Sequence, residues 1–168
     1  MFLRFRRYTL NQHPTPMRLK FIWPGKTKDE RLRSLIEDYL KRLSRFARSE
    51  IVEVKESRTR DAGAVTKESQ RIIDAIGDST AAVLLDLNGS DWSSHELARQ
   101  VQRWENDGTK EVAIVIGGPE GVSTEVQSRA NVRWRLSRLT LTHEMARVLA
   151  VEQLYRAFAI NRGLPYQK

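Results

Sequence analysis

Ile114–Gly121, IVIGGPEG, is an apolar run that ends in two glycines, a proline, a glutamate and a third glycine. Gly117 and Gly118 have no Cβ, so their backbone can approach a ligand closely, and Pro119 stiffens the turn that follows. The N–H and C=O groups left over in such a loop can read the edge of a flat heterocycle. A plain strand-to-helix turn would use the same residues. Further along, His143 and Arg147 stand four apart at the head of an apolar-periodic segment, which puts them on one helical face. An imidazole titrates near neutrality and can accept or relay a proton. A guanidinium can hold a phosphate or a base carbonyl. A purely structural hydrogen bond at a helix start accounts for His143 equally well.

Other chemical patterns fail on spacing. Gly25-Lys26-Thr27 follows a strand-like run, but Lys20 stands where a phosphate-binding P-loop needs its first glycine, so GKT reads as a turn. GGPEG lacks the G-x-G-x-x-G spacing of a dinucleotide fingerprint. HEMAR begins like a zinc-protease helix, yet Arg147 replaces the second histidine. The histidines are His13, His95 and His143, and nothing pairs one of them with a serine nucleophile. Neither hydrolase chemistry nor a metal site is indicated.

These residues must be positioned by alternating strands and helices. Strand-like runs fall at 18–23, 50–55, 81–87, 111–117 and 132–137. Helical periodicity falls at 28–46, 65–76, 94–106 and 143–161, with a further helix capped by Ser123. The polar stretch 57–67 reads mainly as a loop, and Asn88-Gly89 as a turn. The runs 81–87 and 112–116 are apolar on both faces, as strands are when helices cover both sides of a parallel sheet. Ligands of such sheets bind beyond the carboxyl ends of the strands, where LDLNGSDW (85–92 with its flanks) and GGPEG lie. Tyr155 and Phe158 are read as core or dimer-interface residues, and Arg156 as a solvated charge paired with Glu152.

The chain has 168 residues, 29 Lys+Arg against 21 Asp+Glu, a net charge of +8 and a pI near 10.1. The length suits one domain, and the basic excess favours a polyanionic partner, nucleic acid ahead of lipid. No cysteine is present, which excludes disulfides and cysteine-bound zinc. No apolar stretch approaches a membrane span, so a soluble, cytoplasmic protein without a membrane partner is expected. Residues 1–16, MFLRFRRYTLNQHPTP, carry three arginines and no acid before two prolines. They are read as a disordered or non-native extension, with a single domain over 17–168; the basic bias survives without them.

The last third, WRLSRLTLTHEMARVLAVEQLYRAFAINRGLPYQK, taken with IGGPEG and LDLNGSDW, resembles the RlmH family of SPOUT-class methyltransferases, and the resemblance runs from Met17 to Lys168. It implies an α/β SPOUT methyltransferase fold, a mainly parallel sheet with helices on both faces and a C-terminal trefoil knot. It implies an S-adenosylmethionine-dependent rRNA (pseudouridine-N3-)methyltransferase that acts on helix 69 of 23S ribosomal RNA in the assembled ribosome, as a homodimer without a metal. The implied donor site comprises Leu85, Gly117, Gly118, Ser137, Arg138, Leu139, Thr140, Leu141 and Thr142. The implied catalytic set is His143, Arg147, Tyr166 and Gln167, with Arg147, Tyr166 and Lys168 on RNA. On this reading Gly118→Val would drive a side chain into the donor's edge. One departure stands out. The family usually ends in Tyr-His and a basic residue, whereas this chain ends Tyr166-Gln167-Lys168. Glutamine can hydrogen-bond but cannot accept a proton. Two alternatives are a ribosome- or RNA-binding module that keeps the fold without methyl transfer, and a SPOUT methyltransferase acting on tRNA.

Overall fold

Side chains on alternate residues of the central strands enter two different apolar cores, and that division sets the architecture. The computed structural model describes residues 16–59, 61–78 and 81–167, apart from the side chain of Gln167. The strands are β1 (Arg18–Pro24), β2 (Arg48–Val54), β3 (Ala81–Asp91), β4 (Glu111–Val115) and β5 (Val132–Arg135). They pair in the order β2-β1-β4-β3-β5, and every pairing is parallel. The helices are α1 (Glu30–Leu43), α2 (Ala62–Ile76), α3 (Ser94–Asn106), α4 (Thr124–Arg129) and α5 (His143–Asn161), followed by a 3-10 turn over Pro165–Gln167. Leu19, Phe21, Val112 and Ile114 pack with Val101, Leu154 and Phe158 beneath α1, α3 and α5. Ile22, Ala113, Val115 and Leu84 pack with Ile72, Ile76 and Val126 beneath α2 and α4. This is the parallel α/β sheet, covered on both faces, that the apolar runs imply.

Local signals set most boundaries. Asp29 accepts from the amides of Arg31 and Leu32 to start α1, and Ser93 with Glu96 forms a reciprocal capping box on α3. Ser123 caps α4 as expected from its position, and Thr142, expected at the donor site, caps α5. The helix expected from Val65 begins at Ala62, because Asp61 caps it by accepting from Ala64 N–H. Helix α5 is buried on several sides, at Val148, Ala150, Val151, Leu154, Ala157 and Phe158, as befits a helix set between α1, α3 and the sheet. Phe158 stacks on Phe46 and is fully buried. Arg156 pairs with Glu152 at 2.6 Å, but it is not the solvated charge expected: both groups are largely buried, and Arg156 lies over the Tyr166 ring. The expected extension lies outside the described residues apart from Pro16, and so does Lys168.

Asn88-Gly89 does not end β3. Leu85 and Ser90 both pair with Trp134, so Asp86–Gly89 form an excursion at the carboxyl edge, and the strand resumes to Asp91. Gly89 makes this possible, since a Cβ there would lie 2.7 Å from the Arg133 carbon and the Trp134 nitrogen of β5. Gly89→Ala is therefore expected to lower unfolding stability by about 1–3 kcal/mol, as overpacking does. Urea denaturation at unchanged m-value checks this; an unchanged midpoint would contradict the close approach.

Candidate functional site

All five strands end at one edge, and a large cavity opens there. It has a volume of about 550 Å³, within the range that encloses a drug-sized ligand. Three segments wall it: the β3 excursion from Leu84 to Asn88, the glycine loop from Ile116 to Val122, and Trp134–Leu141 after β5. Leu84, Ile116 and Trp134 supply a buried apolar floor. Leu87 and Leu139, 63% and 73% exposed, stand at its mouth as apolar groups awaiting cover. The walls are largely backbone and aliphatic side chain, which suits an amphipathic ligand with a flat heterocycle.

The two leading glycines work differently from expectation. A Cβ on Gly117 would meet Val122 Cγ1 at 2.9 Å, and one on Gly118 would meet Glu68 Oε1 at 3.1 Å and Pro24 Cγ at 3.6 Å. Neither direction points into open space in the large cavity. Their small size folds the loop tightly and leaves its backbone as the wall. Gly118→Val would thus disturb Glu68 and Pro24 first, rather than intrude directly on a ligand.

Of the expected donor-site residues, Leu85, Gly117, Gly118, Ser137, Leu139, Thr140 and Leu141 line the cavity. Arg138 and Thr142 do not. Arg138 Nε turns to Asp91 at 3.3 Å, and Thr142 Oγ1 accepts from Met145 N–H to cap α5. Asp86, Leu87, Asn88, Gln127, Trp134 and Ala146 join the walls although only the neighbourhood of the first three was legible as a loop. Trp134 lies in β5 and Ala146 in α5, and only the tertiary fold turns them toward a cavity.

His143, the first residue of α5, lines the same cavity. Burial, and then the nearby Arg147 guanidinium, push its imidazole below the ordinary value of 6.5, against the opposing charges of Glu144 and Glu56. At neutral pH it is an uncharged base. Helix α5 is pinned just there. Glu144 accepts from the amides of Lys28 and Asp29 at 2.7 and 3.2 Å, which holds its carboxyl below the usual range.

Arg147 corrects an expectation. It is 1% exposed, donates to Thr27 Oγ1 at 3.0 Å and to the Pro24 carbonyl at 2.6 Å, and lies over the Trp23 ring. Four residues along the helix places it on His143's face, but that face packs against the end of β1, so the guanidinium cannot meet a phosphate. GKT is a turn, as expected, with Thr27 buried as one of Arg147's partners.

The tail lies elsewhere. Tyr166 donates to Glu152 Oε1 at 2.9 Å, lies 3.2 Å from the Tyr39 phenol and meets Tyr155 edge-on. Burial and these hydrogen bonds push its phenol well up, so it keeps its proton. Tyr166 does not line the large cavity of its own chain. Among the described residues, no group of three or more His, Asp or Glu is placed to hold a metal ion, and no helix is long and apolar enough to cross a membrane.

Comparison with known proteins agrees with this geometry. Residues 17–167 match a family model described as "Predicted SPOUT methyltransferase". The chain is 41% identical over 154 residues to ribosomal RNA large subunit methyltransferase H of Anaeromyxobacter sp. (strain Fw109-5), covering 90% of this chain and 100% of the relative. It is 36% identical over 159 residues to the protein of the same name from Streptococcus pneumoniae (strain CGSP14), again over 90% and 100%. The crystal structure of a probable methyltransferase from Bordetella pertussis Tohama I shares the fold, with a TM-score of 0.55 at 18% identity, covering 84% of this chain and 96% of that one.

Arg147→Met should remove the donors to Pro24 and Thr27 and cost about 1–3 kcal/mol per buried group left unpaired. Denaturant titration reads this loss. The slope of RNA affinity against salt should stay unchanged, because the guanidinium does not reach the surface. A shallower slope in the variant would restore Arg147 as an RNA contact.

Proposed function

The chain belongs to the SPOUT methyltransferases, and within them to the RlmH family; from that premise we propose that it methylates N3 of a pseudouridine in helix 69 of large-subunit ribosomal RNA, with S-adenosylmethionine as donor. The observation that carries this reading is a roomy, apolar-walled cavity, made by three carboxyl-edge loops, with an uncharged imidazole in its wall.

The backbone of Gly117–Gly121 and of Ser137–Leu141 would hold the donor's polar edges, and Leu85, Ile116, Leu136 and Leu139 its flat faces. When bound, the donor supplies a methyl group made electrophilic by a positively charged sulfur. The chain's own task is to place the accepting nitrogen, keep water out, and take the nitrogen's proton. Gln167 has no titratable proton, and Tyr166 is held protonated. His143, kept neutral at the cavity wall, is the acceptor this arrangement favours. Arg147 then serves by fixing the start of α5, and RNA contact falls to the tail, Tyr166 and Lys168.

A homodimer would complete what the single chain leaves open. Leu87 and Leu139 stand exposed at the cavity mouth, while the chain's own tail is tied to Glu152 and Tyr39 elsewhere. A second subunit's tail would close the mouth and bring Tyr166 to Lys168 near the accepting base. The threading of residues 136–161 is where a trefoil knot would lie. A chain that acts on ribosomes would work in the cytoplasm, as a single domain from Met17.

Deleting Tyr166–Lys168 is expected to abolish methylation of intact ribosomes, read by mass spectrometry of the helix 69 fragment, while calorimetry still detects donor binding. His143→Ala should lower the maximal rate by about 10²–10⁴-fold, the usual worth of a general base. Gln167→His should change turnover little if the tail only positions; a gain of orders of magnitude would make the tail histidine the base. Donor binding and rRNA binding without transfer by the unaltered chain would establish a binding module instead.

A further inference from the structure

His143 is shared by two cavities. Behind the large one lies a smaller cleft of about 200 Å³, walled by Pro24, the segment Glu56–Thr59 after β2, and Val65 and Glu68 of α2. The two cavities have only His143 and the Gly118–Glu120 turn in common. The imidazole therefore stands where the two spaces meet. The cleft could hold roughly half a dozen waters, at ~30 Å³ each.

Among the described residues, Glu56, Glu68 and Glu120 line it together with Arg58, an acidic excess in a protein of net charge +8. Such walls repel a phosphate backbone but attract a proton. The carboxylates are not equivalent. Glu68 accepts from Ser57 N–H at 2.9 Å with one oxygen, and the other backs onto Gly118. Glu56 lies across Gly25, its Oε2 only 2.8 Å from where a Cβ would be, so a glycine makes room for this carboxylate beside the start of α5. The charges acting on the imidazole are Arg147 and Glu144 from α5, Lys28 from the β1–α1 loop and Glu56 from the β2–α2 loop. Glu144 is committed to the amides of Lys28 and Asp29. Glu56 is thus the carboxylate on the cleft side whose charge favours the imidazolium.

We propose that the acidic cleft is the proton exit of the methyl-transfer site, and that Glu56 is a positioning residue that stabilises the cationic form of His143 while the proton crosses from the large cavity to cleft water. This rests on the methyl-transfer reading with His143 as acceptor. The step balances. The accepting nitrogen loses its bond to hydrogen and gains one to the methyl carbon, and the carbon–sulfur bond breaks with its electron pair left on sulfur. The proton goes to His143 and then to water in the cleft. No oxidant, reductant or further reactant is needed.

The test is a histidine-ring NMR titration of the unaltered chain, Glu56→Gln and Glu56→Asp, with His143→Gln used to assign the signal. Removing the Glu56 charge should lower the His143 midpoint further, and aspartate should restore it. In methyl transfer to ribosomes, the acid limb of the kcat profile should move to lower pH by the same amount in Glu56→Gln. Its kcat at neutral pH should fall about tenfold as the base weakens, with donor affinity unchanged by calorimetry. An unmoved midpoint, or a moved midpoint with an unmoved acid limb, overturns the proposal while the methyltransferase reading stands. A chain that binds no donor and transfers nothing defeats that reading, and the proton exit with it, even where the titration still shows the charge of Glu56 acting on His143.

Discussion

A buried guanidinium holds the functional end of this protein together. Arg147 sits 1% exposed over Trp23, with the Pro24 carbonyl and the Thr27 hydroxyl as its partners and, among the described residues, no carboxylate at ion-pair distance. Burying a charge is costly unless hydrogen bonds and polarisable neighbours replace water. Here a carbonyl and a hydroxyl serve the two terminal nitrogens and an aromatic face covers the plane, while the buried Nε has no hydrogen-bond partner among the described residues. The bond spans more than a hundred residues of chain and joins the carboxyl end of β1 to the first turn of α5. Glu144 adds a second tie to the same loop through the amides of Lys28 and Asp29. His143 has little freedom left, because its neighbours on α5 are anchored.

That anchoring has an electrostatic consequence. Arg147 and burial keep His143 uncharged, while burial and the Tyr39 and Glu152 contacts keep the Tyr166 phenol protonated. Two titratable groups are driven apart in proton affinity, one prepared to receive a proton and the other to retain its own. The chain is basic overall, yet the cleft on the far side of His143 is lined by carboxylates.

Much of this was legible in residue order. The apolar runs at 81–87 and 112–116 announced a sheet covered on both faces, and Ser93 and Ser123 sat where helix caps belong. The glycine loop was found as a cavity wall because parallel strands send their carboxyl ends to one edge, and Ser137–Leu141 through the family resemblance. Three features were not legible. Gly89 looked like a turn, because sequence cannot show that the backbone of β5 lies against it. Arg147 looked like an RNA contact, because helical spacing gives a face but not what packs on it. Glu56 sat in a polar loop with no periodic signal, and only the placement of β2 beside β1 brings it to the cleft.

The central claim is that three loops, after β3, β4 and β5, form one methyl-donor cavity. Hydrogen–deuterium exchange with and without saturating S-adenosylhomocysteine, the demethylated donor, tests it most directly. The account predicts slower exchange within 85–90, 116–122 and 136–142, with the amides of 55–59 in the acidic cleft unchanged. Protection confined to the cleft, or absent from all three loops while calorimetry records binding, would contradict it.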